Sequence, residues 1–140
     1  MASWKHYKED YLLMLEAGFI AVNQADEDAA LKLFRAAETL NPDNNLPKVG
    51  FGYLHLHKLE LKQAVRIFEE VLEKEPGNDM AKAFLGLSMS MMPNQIEKGE
   101  KMLEQTLKSK DPMIKKLAHT AIDFVEKFVK KTPGPAGKSR

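Results

Sequence analysis

The sequence predicts an all-α fold, a row of helical hairpins closed by one further helix, and three observations predict it. Gly18, Gly52 and Gly86 stand 34 residues apart. Ala30 and Ala64, Phe34 and Phe68, Pro42 and Pro76, and Asn44 and Asn78 keep the same step. The last segment carries Ile114, Leu117, Ala118, Ala121, Phe124, Val125 and Phe128, the stripe of a helix with one buried face. A fixed period of this length marks stacked units, each unable to bury its apolar face alone.

Taken in order, the pattern predicts helices over 5–23, 27–40, 46–58, 61–74, 79–91, 97–108 and 112–130. Asp26 and Asp111 are placed to cap the second and seventh, with Pro112 at the first helical position of the latter. Within each hairpin a glycine on the first helix lets the second approach closely, at about 1 kcal/mol in helix propensity that packing must offset. Ala30 and Ala64 offer a matching small surface, and Phe34 and Phe68 fill the space one turn further on. Pro42 and Pro76 lack a donor N–H and end each unit. The third unit keeps the spacing of small and large residues as Gly99, Leu103 and Thr106, after a one-residue insertion around Met92–Gln95. Residues 53–61 alternate strictly and read locally as a strand, but the 34-residue register assigns them to a helix and its turn.

At these glycine, alanine, phenylalanine and proline positions the chain resembles the tetratricopeptide repeat family. The resemblance implies repeats at 11–44, 45–78 and a degenerate 79–111, a capping helix at 112–130, one domain over 1–131 wound as a right-handed superhelix, and a disordered tail at 132–140. The chain departs from the family pattern at Lys48 and Lys82, where a large apolar residue is usual, and at His55 and Met89, where tyrosine is common.

The resemblance also implies that the first helix of each unit lines a concave groove. Mapped onto this chain, the lining is Leu12, Leu15, Phe19 and Val22, then Leu46, Val49, Tyr53 and Leu56, then Met80, Ala83, Leu87 and Met91. Apart from the tyrosine hydroxyl it is apolar. Ten such side chains, each hiding about 50 Å², represent on the order of 12 kcal/mol before association costs, so a bare wall invites aggregation. The occupant expected is an amphipathic helix or apolar segment of a protein client, with Met80 and Met91 supplying adaptable packing. The alternative is a groove filled by the last helix, a permanent partner or a second copy of the chain. Relatives that clamp acidic chaperone C-termini use Lys, Arg and Asn on this wall; here those types are missing.

The size and apolar groove resemble the small cytoplasmic chaperones of bacterial type III secretion that sequester a needle or translocator subunit, with a small helical co-chaperone on another face. Charge placed at Phe19 or Tyr53 is then expected to abolish client binding.

Composition restricts the other classes. With 140 residues the chain is one domain in size, and 44% apolar with 29% charged residues is ordinary for a globular protein. Twenty-one basic residues against 20 acidic ones leave +1, without the basic excess of a nucleic-acid binder. There is no cysteine, and no apolar run reaches the ~18 residues of a membrane span. The expected location is cytoplasmic. His55 and His57 diverge on a helix, and His6 and His119 lie far off in sequence, so no metal site or cofactor is expected. Residues 134–139 superficially resemble a phosphate loop, but the first glycine is misplaced and no helix follows. Glu69, Glu70, Glu73 and Glu75 read as a solvated face, the basic C-terminus as a solubility feature or a dock for an acidic partner, and Trp4, Tyr7 and Tyr11 as a cap on the first repeat or an interface for a second chain. No nucleophile and base stand in a catalytic pattern, so no enzyme is expected.

Overall fold

The computed structural model describes residues 3–130, with side chains from Lys8 onward, and every regular element among them is helical. The elements are α1 (Ser3–Asn23), α2 (Glu27–Leu40), α3 (Leu46–His57), α4 (Leu61–Lys74), α5 (Asp79–Ser90), α6 (Ile96–Thr106) and α7 (Pro112–Phe124). A π-helical extension, Val125–Lys130, continues α7. The expected tail at 132–140, its phosphate-loop-like segment, and the side chains of Trp4, His6 and Tyr7 lie outside the described residues.

The chain divides into two compact units, Met1–Pro76 and Gly77–Arg140. In the first, α1 pairs with α2 and α3 with α4, and α3 packs on both helices of the preceding hairpin. Each second helix buries the same triplet: Ala30, Phe34 and Ala37 on α2, Ala64, Phe68 and Val71 on α4. The glycines are explained by these phenylalanines. A Cβ at Gly18 would overlap the Phe34 ring, one at Gly50 would lie 2.5 Å from it, and one at Gly52 would lie 2.5 Å from the Phe68 ring. The 34-residue period is thus a period of ring-sized recesses in the first helix filled from the second.

The same period reappears in backbone conformation. Ala25 and Leu59, 34 residues apart, hold φ of 61° and 62° in the left-handed region. Each ends a helix in a Schellman turn: Ala25 N–H donates to Val22 O at 2.9 Å and Asp26 N–H to Ala21 O at 2.8 Å, while Leu59 N–H donates to Leu56 O at 2.9 Å and Glu60 N–H to His55 O at 2.8 Å. Glycine normally stands at this position because a Cβ costs roughly 1–2 kcal/mol there. The next position in the series is Pro93, whose ring fixes φ near −65°. The third hairpin therefore turns differently, through Met92 N–H to Met89 O and Gln95 N–H to Met92 O, and uses the extra residue noted above.

In the second unit α5 pairs with α6, and α7 packs on both while its extension continues along α5. The triplet on α6 is Gly99, Leu103 and Thr106. With glycine in place of alanine the two backbones meet directly: a Cβ at Gly86 would lie 2.9 Å from Gly99 O, and one at Gly99 would lie 2.5 Å from Gly86 O. Leu103, Ala121 and Val125 form the core, and the buried hydroxyls of Ser88, Ser90 and Thr106 donate to Phe84 O, Gly86 O and Leu103 O at 2.7–2.8 Å.

The capping expectations hold. Asp26 accepts from Ala29 N–H at 3.2 Å, and Asp111 from Met113 N–H at 2.9 Å. Asn78, read in the sequence only as a repeat marker, also caps α5 by accepting from Ala81 N–H at 3.0 Å. The strand reading of 53–61 fails because α3 is covered by α1, α2 and α4, so that Leu54 and Leu56 are both buried although they point about 200° apart.

Candidate protein-binding surface

Each of the twelve predicted groove residues lies on a first helix of a hairpin, or one residue beyond its end in the case of Met91. Their accessibility differs sharply. Leu15, Val22, Val49, Leu56 and Ala83 are buried. Leu15 and Val22 belong to the core cluster around Phe34. The cause is geometric: α1 and α3 lie against each other, so inward positions on one are spent on the other rather than presented to a guest.

What remains in the first unit is Leu12, exposed, with Phe19, Leu46 and Tyr53 half-buried. The Phe19 and Tyr53 rings meet at 5.5 Å, joining α1 to α3, and Phe19 stands edge-on to Phe34 at 5.3 Å. Tyr53 donates its hydroxyl to Asn23 Oδ1 at 2.5 Å, and partial burial pushes its pKa above the ordinary value, so the phenol stays protonated and available as a donor. Phe19 and Tyr53 are therefore half wall and half structure.

Beside them a cleft of about 420 Å³ opens between the start of α1, the end of α2 and the start of α3, lined by Lys8, Tyr11, Leu12, Leu40, Asn41, Asn44 and Leu46. Asn44 Oδ1 accepts from Leu46 N–H at 2.9 Å and fixes one side of it. Tyr11 is buried, its hydroxyl finds no hydrogen-bond partner, and burial raises its pKa. In the sequence Tyr11 was read as a cap on the first repeat; the cleft was not foreseen, since it is lined by residues from three helices with no shared motif.

In the second unit Met80, Leu87 and Met91 are half-buried, and Leu87 packs against the Leu103, Ala121 and Val125 cluster, which takes it out of any open wall on that side. The extension of α7 is held by Lys130, whose ammonium bonds Glu126 at 2.9 Å and Glu100 at 3.2 Å.

Among the described residues no three His, Asp or Glu side chains are grouped to hold a metal ion, and no helix is long and apolar enough to cross a membrane. His55 bonds Glu60 at 2.7 Å, and Lys58 bonds Glu27 at 2.9 Å, linking the turn after α1 to the turn after α3. His119 is exposed, as are Glu69, Glu70, Glu73 and Glu75. Comparison with protein-family models, curated proteins and solved structures returned no match.

Proposed function

We propose that this chain is a protein-binding module of the tetratricopeptide type, acting in the cytoplasm as a chaperone that covers an apolar or amphipathic helix of a client. One observation carries the reading: on α1 and α3, Leu12 and Leu46 line a cleft of about 420 Å³ while the half-buried Phe19 and Tyr53 rings meet at 5.5 Å, so both helices leave apolar side chains within reach of a guest. A surface of this kind with a polar edge supplied by Tyr53 and Asn23 matches the way an amphipathic helix is seated, its apolar side chains in recesses and its polar side outward. The client class we favour is a self-assembling subunit such as a type III secretion needle or translocator protein, whose polymerising surface these side chains would occupy until export. The second reading is a homo-oligomeric scaffold, and the exposed apolar residues at α1 and α7 favour it.

The test is affinity purification of the tagged chain from its native cells, comparing the unaltered protein with Leu12→Asp and Phe19→Asp. Leu12 is 47% exposed, so its variant keeps the fold where a charge at Phe19 also disturbs the contact with Phe34. A client is expected with the unaltered chain and is lost, or reduced at least tenfold, with Leu12→Asp at unchanged helix content. Full retention of the client by a folded Leu12→Asp protein removes the proposal.

A further inference from the structure

We infer that the chain also associates with copies of itself head to tail, the outer face of α1 in one copy seating on the outer face of α7 in the next. The interface uses Leu13 and Ile20 rather than Leu12 and Phe19, and it deepens the oligomeric reading given above.

The α7 face is a half-built hairpin. α1, α3 and α5 are each covered by a second helix, α2, α4 and α6, whereas among the described residues α7 has none. Its uncovered side shows Met113 at 78%, Phe128 at 62% and Phe124 at 40% exposure, with Leu117 half-buried between them. The Phe124 and Phe128 rings, four residues apart and so neighbours on the helix surface, meet at 5.4 Å. A face of this shape takes a helix, and monomers seldom leave such a stripe in water.

The α1 face supplies that helix. Leu13 is 65% exposed and Ile20 55%, and the seven-residue step between them is the step from Leu117 to Phe124. Glu9, Leu13, Glu16 and Ile20 follow one helical stripe and all are exposed. The charges are opposite on the two faces. The described part of α1 carries Glu9, Asp10 and Glu16 against Lys8, while α7 and its extension carry Lys115, Lys116 and Lys127 against Asp123, the Lys130 ammonium being already bonded to Glu126 and Glu100. Acid beside the apolar stripe of one face and lysine beside that of the other select the pairing of α1 with α7 over either face with itself. Such a contact joins two different patches, so it builds rings or open chains of more than two copies and not a simple two-fold dimer.

The experiment is complementation by light scattering on the full chain. The unaltered protein should rise in mass with concentration past the dimer. Leu13→Lys with Ile20→Lys destroys the head, and Phe124→Glu with Phe128→Glu destroys the tail. Each alone should stay at one chain, and an equimolar mixture should give two chains and no more, because one intact head then meets one intact tail. Circular dichroism checks the fold; should either variant lose helix, Glu16→Lys and Lys116→Glu replace them, each weakening association alone and restoring it when mixed. A single-chain mass for the unaltered protein at every concentration, association by either blocked variant alone, or a mixture that stays at one chain overturns the inference. Client capture is read separately, by the affinity purification with Leu12→Asp above, so that failure of this inference and failure of the chaperone reading are distinguishable.

Discussion

At the scale of single residues, Leu59 is the least expected position in the chain. It is a large apolar side chain, 68% exposed, held at a φ of 62° where L residues are disfavoured. Nothing is gained by its side chain among the described neighbours, so Leu59→Gly is expected to raise stability by about 1 kcal/mol, with Ala25→Gly giving a similar or smaller gain. Urea unfolding followed by circular dichroism checks both, and a midpoint that falls in each variant contradicts the backbone assignment. Next to it, the bond from His55 and the nearby Lys58 ammonium hold Glu60 below the usual carboxylate range, while the Glu27 bond raises Lys58 above its ordinary value. A depressed acid stabilises above its unfolded pKa and loses that contribution as pH falls through the folded one; a raised base behaves oppositely, losing it as pH climbs through its folded pKa. The link between these turns is therefore strongest across the neutral range. Being partly exposed and screened by solvent, it serves orientation more than stability.

At the scale of helices, the recurring unit is a recess in one helix and a ring in the next. Gly52→Ala places a methyl 2.5 Å from Phe68, whose ring has no exposed side to retreat toward. The expected loss is about 1–3 kcal/mol, read from thermal unfolding, and it should be largely recovered in Gly52→Ala with Phe68→Leu, which shortens the ring side chain. An unchanged melting temperature in the single variant would show that the helices slide apart without penalty. This layer was legible in the sequence because glycine, alanine and phenylalanine leave a periodic mark, and because Asp26, Asp111 and Pro112 cap helices by local chemistry. The division of α1 and α3 into wall and core was not legible. Leu12–Leu15 and Phe19–Val22 are apolar nearly all round, so periodicity could not separate Leu12, which is open, from Leu15 and Val22, which are enclosed. The left-handed Leu59 was equally hidden, since its conformation is set by the turn and not by its type.

At the scale of the whole molecule, the division at Pro76–Gly77 means that the first unit carries a complete core of its own, with Phe34 fully enclosed between Gly18 and Gly50. A fragment of residues 1–76 should fold with a cooperative thermal transition, and Phe34→Ala in that fragment should abolish it by removing 3–5 kcal/mol, on the order of the whole stability of so small a unit. A fragment that shows only coil by circular dichroism refutes this. The turn at Pro93 has a further consequence for anyone who wishes to lengthen or graft this protein. Each residue added to a helical chain swings the following face by about 100°. Splicing a duplicate of 45–78 directly after Asn78 keeps the 34-residue step and leaves each hairpin intact, whereas a block copied across Met92–Gln95 imports the extra residue and shifts the register of the helix that follows.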